Sequence, residues 1–156
     1  MHRILFVCHG NICRSPMAEF IMKDIVRRNG MSDVFEIESC AISDEEIGHD
    51  IYPPAKDVLN KHSIPYEKRR ARRMTSADYD RFDRIVAMDR WNIRNMRGYV
   101  GGDPDGKVSL MMSHAGKDMD VDDPWYSGDF ERTYEEITEA CSHLFESMVG
   151  LSDSSH

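Results

Sequence analysis

The sequence has no long apolar run. Its first one covers residues 4–7, which is far too short for the hydrophobic region of a secretory signal. No later run approaches the roughly 18 consecutive apolar residues that a membrane-spanning helix requires. We therefore predict a cytoplasmic protein that makes no contact with a membrane.

Cysteine is also scarce, with 4 in the whole chain, namely Cys8, Cys13, Cys40 and Cys141. So few thiols do not make the dense disulfide framework of a small secreted protein, and the absence of a targeting segment favours reduced thiols. We expect Cys40, at the end of a predicted strand, and Cys141, on the apolar face of a predicted helix, to be core residues.

Basic residues are the minority, because 20 Lys and Arg stand against 28 Asp and Glu, for a net charge of −8. This balance argues against nucleic acid as a partner. The basic run at residues 68–73, "KRRARR", is open to three interpretations: a solvated surface, a rim that recruits anions, or a nucleic-acid contact. Four histidines have no metal-ligand spacing, so we expect no metal and no cofactor; they are His49, His62, His114 and His143.

The order of apolar patterns predicts the fold class. Strands are predicted near residues 4–7, 34–41, 84–88 and 108–112. Helices are predicted to follow Ser15, over residues 53–62, 76–82 and 89–97, and after residue 128. This alternation predicts an α/β fold, a small doubly wound sheet of four parallel strands with helices on both faces. We expect a single domain over residues 1–151 and a disordered tail at residues 152–156.

The stretch "CHGNICRS" lies between the first predicted strand and the first predicted helix, where backbone N–H groups and the helix dipole favour an anion. Gly10 and Asn11 tolerate positive φ, so successive N–H groups can line a concave nest. Arg14 adds a planar fork for two oxygens, and Ser15 is predicted to cap the helix. The predicted guest is a tetrahedral oxyanion such as phosphate.

Cys8 lies at the rim of this nest, where the helix and the nest favour its thiolate form and make it a candidate nucleophile. Preorganised donors for the developing charge contribute about 10²-fold or more, so the nest matters chiefly as a binder of the transition state. The predicted phosphate-binding residues are His9, Gly10, Asn11, Ile12, Cys13, Arg14 and Ser15. The alternative to a phosphate site is that Cys8 is only a small buried residue at the end of a strand and Arg14 only a surface cation.

A second candidate element is "DDPWY". Pro124 favours an extended backbone at Asp123, which could protonate a leaving group, while Trp125 and Tyr126 could line a pocket for an aromatic ring. Taken alone, the stretch also suits an acidic loop in which an aspartate caps a helix.

Together, "VCHGNICRSP" and "DPWY" resemble the low-molecular-weight protein tyrosine phosphatase family, and the resemblance spans essentially the whole chain. It implies Cys8 as nucleophile, Arg14 as phosphate clamp and Asn11 as loop stabiliser. It also implies Ser15 as a donor to the thiolate and Asp123 as general acid, then base. The implied reaction is hydrolysis of phosphotyrosine or small aryl phosphate monoesters through a phosphocysteine, by a monomeric enzyme.

The sequence departs from the family pattern in three places, one of them a pair of residues. Glu45 stands where an aromatic residue often lines the pocket, and Arg69 stands where a histidine often precedes the "x-A-R" element. Trp125 and Tyr126 replace a pair of tyrosines. Because Glu45, Trp125 and Tyr126 are the predicted substrate pocket, these departures affect substrate preference rather than the chemistry.

Two other functions are compatible with an oxyanion loop. A thiol-dependent arsenate reductase would need further redox cysteines near "RIVAMD", and none lies between Cys40 and Cys141. A non-catalytic binder of phosphorylated ligands would tolerate the loss of Cys8. The presence of Cys8, Arg14 and Asp123 together favours a phosphatase.

Cys13 is predicted to have a redox role, because it shares one short loop with Cys8. A sulfenic acid formed on Cys8 could be captured by a nearby thiol before it is oxidised further. The alternative is that Cys13 is only a packing residue.

Overall fold

The four strands form one parallel sheet in the computed structural model, which describes residues 1–150. The strands are β1 (His2–Cys8), β2 (Phe35–Ala41), β3 (Arg84–Ala87) and β4 (Val108–Leu110), and their order across the sheet is β2-β1-β3-β4. The predicted fold is confirmed. The predicted tail, residues 152–156, lies outside the described residues.

Seven helices connect and cover the strands in the described part of the chain: α1 (Arg14–Arg28), α2 (Pro53–Lys61), α3 (Ser76–Arg81), α4 (Arg90–Asn95), α5 (Arg97–Val100), α6 (Pro124–Ser127) and α7 (Phe130–Val149). Helices α1, α2 and α7 pack on one face of the sheet, and α3 and α5 pack on the other. Within residues 1–150, no helix is long and apolar enough to cross a membrane.

The central strand β1 is buried on both faces, which explains its continuous apolar run. Ile4 and Phe6 point into the core formed with α1 and α7, and Leu5 and Val7 point into the core formed with α3 and α5. The expectation for Cys40 and Cys141 is confirmed, since both thiols are fully buried, one in each core.

The structure corrects the predicted start of α1. Ser15 does not cap this helix, because α1 already begins at Arg14 and Cys13 occupies the N-cap position without a side-chain hydrogen bond. The Ser15 hydroxyl turns instead towards Cys8.

Two other predicted elements also differ. The fourth strand ends at Leu110, because the chain turns into a 3₁₀ helix, Met111–Ala115, that buries its first two methionines. The predicted helix over residues 89–97 is divided at Met96 into α4 and α5, with Met96 itself fully buried.

The carboxyl ends of the strands are tied together by backbone hydrogen bonds. The N–H of Met88, just after β3, donates to Val7 of β1, and the N–H of Val121 donates to Met88. The N–H of Ile42, just after β2, donates to the carbonyl of Cys8. Residues distant in sequence therefore meet around the end of β1, the edge at which parallel sheets bind ligands.

Candidate active site

The loop between β1 and α1 surrounds the Cys8 thiol. The backbone N–H groups of Asn11 and Ser15 point at Cys8 Sγ, at N to S distances of 3.3 and 3.4 Å. The Ser15 hydroxyl oxygen lies 3.0 Å from the same sulfur. Three donors around one sulfur stabilise a thiolate, because each of them becomes a charge-assisted hydrogen bond when the sulfur is ionised.

Asn11 keeps this loop in shape. Its φ of 60° is left-handed, a conformation that costs a non-glycine residue about 1 kcal/mol. Its side-chain NH₂ donates to Ser15 Oγ at 2.7 Å and to Ser39 Oγ at 2.9 Å, and its side-chain oxygen accepts from the N–H of Arg72 at 3.2 Å. Ser39 in turn donates to Glu19 at 2.6 Å. This buried network offsets the strain and aims the N–H of Asn11 at the sulfur.

Glycine is favoured at position 10 for a different reason from the one predicted. It is not among the residues with positive φ, but a Cβ at this position would lie 3.3 Å from the Glu46 side chain. The close approach of the loop after β2 therefore favours glycine here, and the left-handed residue of the nest is Asn11.

Arg14 is buried at the start of α1 and faces two carboxylates. Its Nη2 lies 2.8 Å from an Asp89 oxygen and 3.5 Å from an Asp123 oxygen, and its Nη1 donates to the Val121 carbonyl at 3.1 Å. Burial disfavours the charge of Arg14, but the negative charges of Cys8, Asp89 and Asp123 outweigh burial and raise its pKa above the usual value. The guanidinium therefore stays charged next to the thiol.

Asp89 is a residue of the candidate site that the sequence analysis missed. It caps α4, where its side chain accepts from the N–H of Asn92 at 2.7 Å while the Asn92 side chain accepts from the N–H of Asp89 at 3.0 Å. Its second oxygen orients Arg14. The available signal was its position, a carboxylate two residues beyond the buried strand β3, at the edge where parallel sheets bind ligands.

Both interpretations of the loop at Asp123, a helix cap and a candidate acid, are compatible with its position. One of its oxygens accepts from the N–H of Trp125 at 3.1 Å and caps α6, while the other approaches Arg14. The neighbouring Asp122 anchors the loop on α7, since its N–H donates to Glu136 at 2.8 Å and its carbonyl accepts from Thr133 at 3.1 Å. An aspartate that caps a short helix can therefore also face Arg14.

A cleft of about 470 Å³ opens above the loop. The predicted residues that line it are Cys8, His9, Gly10, Ile12, Cys13, Arg14, Glu45, Asp123, Trp125 and Tyr126. Asn11 and Ser15, by contrast, are fully buried behind it. Three of the six large hydrophobic residues that are exposed in residues 1–150 line this cleft, namely Trp91, Trp125 and Tyr126. Trp91 was not predicted.

At the rim of the cleft, a side-chain hydrogen bond joins the loops after β1 and β2. His9 Nε2 lies 2.9 Å from a Glu45 carboxylate oxygen, and both side chains are exposed. Arg69, by contrast, does not line the cleft. Its backbone N–H donates to Asp50 and its guanidinium to the carbonyl of His49, and burial lowers its pKa.

Some arginines of the basic run at residues 68–73 form contacts within the protein. Arg72 pairs with Asp78 and Glu38, and Arg73 with Asp44 and the hydroxyl of Tyr99. Two of the five basic residues at positions 68–73 are therefore ion-paired within the protein.

Cys13 lies in the wall of the cleft and is largely buried. Burial, together with the nearby charge of Cys8, raises the pKa of the Cys13 thiol, so it stays protonated at neutral pH. The two cysteines of this loop therefore have different environments, since within residues 1–150 hydrogen-bond donors are directed at Cys8 and none at Cys13.

A thiol encircled by N–H and hydroxyl donors and facing a buried arginine and a carboxylate is the arrangement of a cysteine-dependent phosphatase. The family model described as low molecular weight phosphotyrosine protein phosphatase matches residues 3–151. The chain belongs to this family and is a protein tyrosine phosphatase.

Individual relatives agree with this assignment. The low molecular weight protein-tyrosine-phosphatase YfkJ of Bacillus subtilis is 34% identical over 150 residues, 95% of this chain and 96% of the relative. A low molecular weight phosphotyrosine protein phosphatase of Sus scrofa is 36% identical over 148 residues, 92% of this chain and 93% of the relative. The crystal structure of YfkJ matches with a TM-score of 0.92 over 96% of both chains. A low molecular weight protein tyrosine phosphatase from Streptococcus pyogenes matches with a TM-score of 0.84 at 38% identity, over 94% of this chain and 93% of that one. The predicted phosphatase function is confirmed.

Proposed function

We propose that the enzyme hydrolyses phosphotyrosine and aryl phosphate monoesters in two steps through a phosphocysteine at Cys8. In the first step the Cys8 thiolate attacks phosphorus, an S–P bond forms and the P–O bond to the phenol breaks. Asp123 donates its proton to the departing phenolate oxygen. In the second step Asp123 accepts a proton from water, whose oxygen attacks phosphorus. The S–P bond then breaks, inorganic phosphate leaves and the thiolate is restored.

The observation that carries this proposal is the environment of the Cys8 sulfur. Three hydrogen-bond donors face it, and Arg14 and Asp123 approach each other at 3.5 Å beside it. We infer that two oxygens of the substrate phosphate bind the Arg14 guanidinium, as a planar fork favours. Asp89 would keep the plane of that guanidinium oriented while the phosphate binds.

The aromatic residues of the cleft support an aryl leaving group. Trp125 and Tyr126 line the cleft beside Asp123, and the Trp125 ring is supported by Tyr52 at a centroid distance of 5.1 Å. A phenol ring fits between such side chains, and stacked aromatic pairs contribute about 1 kcal/mol beyond the area they bury. The relatives are named as a protein-tyrosine-phosphatase and a phosphotyrosine protein phosphatase, which supports a phosphotyrosine protein as substrate.

The experiment that tests this proposal is capture of the covalent intermediate. The enzyme is mixed with an aryl phosphate, quenched in acid during turnover and digested, and the peptides are analysed by mass spectrometry. We expect one phosphate on the peptide that contains Cys8. With a nitrophenyl ester, whose leaving group needs little protonation, Asp123→Asn should increase the captured fraction, because the second step loses its base.

The matched controls replace two cysteines in the same way. Cys8→Ser should lose the adduct and lower turnover on the order of 10⁴-fold or more. Cys141→Ser, in the core and remote from the cleft, should keep both adduct and turnover in the folded protein. Undiminished turnover in Cys8→Ser would overturn the mechanism.

The monomeric state and the cytoplasmic location predicted from the sequence remain predictions. Light scattering of the purified protein across a concentration series tests the first of them. Fractionation of cells that produce the protein tests the second.

A further inference from the structure

Trp91 lies in the cleft without a part in the chemistry proposed above. It belongs to the first turn of α4, lines the cleft and is 58% exposed. Asp89 and Arg90 fix its position, since Asp89 caps α4 and contacts Arg14, while Arg90 pairs with Asp120 at 3.3 Å. An exposed tryptophan on a fixed helix beside an active site is a preformed contact surface.

Arg94 lies over this tryptophan. Its guanidinium carbon is 5.1 Å from the centroid of the Trp91 ring, and the Asn95 side chain donates to the Trp91 carbonyl at 2.8 Å. In the part of the chain that the structure describes, Arg94 makes no ion pair, whereas Arg90 on the same helix contacts both Asp118 and Asp120. The aromatic ring orients one face of the guanidinium and leaves its N–H groups available to a carboxylate.

The order of the strands places Arg94 and Glu45 on different sides of Cys8. Cys8 ends β1, which lies between β2 and β3. Glu45 belongs to the loop that follows β2, and Trp91 to the helix that follows β3. The cleft therefore has Glu45 on its β2 side and Trp91 on its β3 side, with the Arg94 guanidinium over the Trp91 ring.

We propose that Trp91 and Arg94 form a subsite for an acidic residue that flanks the phosphotyrosine of a peptide substrate. This inference rests on the proposed function and names the substrate class more closely. A peptide bound across the cleft would place one flank beside Glu45 and the other beside Arg94. An acidic residue on the second flank would pair with Arg94, while the same residue on the first flank would meet a like charge.

The test uses phosphotyrosine peptides in which a single glutamate is moved one position at a time along both flanks, each compared with its glutamine counterpart. The readout is the ratio of kcat/KM for the glutamate and glutamine peptides within one protein, so general changes in folding or catalysis cancel. The wild type should prefer glutamate on one flank only, by about two- to fivefold, as is typical of an exposed ion pair. This preference should decline as salt is added.

Substitutions assign that preference to particular side chains. Arg94→Glu should reverse the preference for glutamate. Trp91→Ala should weaken this preference, because the Arg94 guanidinium loses the ring that supports it. Trp91→Phe, which keeps an aromatic ring, should retain it. The matched control is Arg97→Glu, the same change of charge three residues further along, which should leave the preference in place.

The outcomes separate this subsite from the proposed function. Equal rates for all peptides in the wild type, or equal losses in Arg94→Glu and Arg97→Glu, overturn the subsite while the phosphatase mechanism stands. If the wild type hydrolyses a small aryl phosphate and none of the peptides, the phosphopeptide substrate itself is wrong.

Discussion

The floor and the rim of the cleft are built in different ways. On the floor, Asn11, Arg14 and Ser15 are buried and their polar groups bond within the protein. On the rim, Trp125 and Tyr126 are 55% and 86% exposed. A buried group that loses its partner costs about 1–3 kcal/mol or more, whereas an exposed ion pair contributes about 0–1 kcal/mol. Substitutions in the floor should therefore change rates by orders of magnitude, and those in the rim by small factors.

The largest effect is expected from Arg14→Lys. A point charge replaces a planar fork held between Asp89 and Asp123, so turnover of an aryl phosphate should decrease about 10²- to 10³-fold. Steady-state kinetics measure this decrease in turnover. Arg90→Lys, the same change in an exposed ion pair, is the control and should be near normal. A mild defect in Arg14→Lys would remove the distinction between floor and rim.

The next effect is expected from Asp123→Ala. Loss of the general acid should slow hydrolysis of phenyl phosphate about 10²-fold, but should slow a nitrophenyl ester less, because its leaving group needs little protonation. The measurement is kcat for a series of leaving groups of different basicity. Asp120→Ala, which removes a carboxylate bonded to Arg90, is the control. An equal loss across the series would mean that Asp123 is not the acid.

Cys13→Ser should have a smaller and conditional effect. The raised pKa of Cys13 keeps it protonated, so peroxide should oxidise Cys8 first, and Cys13 should then capture the sulfenic acid as a disulfide with release of water. After peroxide and then dithiothreitol, the wild type should recover several-fold more activity than Cys13→Ser. Cys40→Ser, in the core, is the matched control. Equal recovery, with no Cys8–Cys13 linkage in mass spectra, would leave Cys13 a packing residue.

The smallest effect is expected from Glu45→Gln. Removing this rim charge should reduce the relative rate for peptides with basic flanks by about twofold, and added salt should remove the difference. Glu135→Gln, an exposed glutamate on α7, serves as control. An unchanged peptide profile would indicate that Glu45 interacts only with His9.

The elements that could be predicted are those whose signal is local. Buried strands such as β1 and β3 are continuous apolar runs, and α7 has a regular apolar stripe, so their positions follow from neighbouring residues. The loop from Cys8 to Ser15 was predictable for the same reason. Its glycine, asparagine and arginine lie within five consecutive positions of the sequence and are also close in space.

The features that could not be predicted depend on tertiary contacts. The side chain of Asp89 contacts Arg14 because β3 pairs with β1, and Gly10 is favoured because Glu46 approaches it. The cap assigned to Ser15 was wrong because a local pattern does not fix the first residue of α1, whereas its contact with Cys8 agrees with the donor role that the family resemblance implied. Trp91 gave no signal at all, since one tryptophan in a short helix is compatible with a core or a surface position.

The bond between Arg14 and the carbonyl of Val121 also has a consequence for biosynthesis, because it joins residues 107 positions apart. At roughly 5–20 residues per second, a ribosome needs on the order of 5 to 20 seconds to make the intervening chain. During that time the nascent polypeptide already carries Cys8 but has neither the loop that braces Arg14 nor the acid. Catalytic competence thus arises late in translation, and a chain that ends before Val121 would contain Cys8 without the groups that hold Arg14 in place.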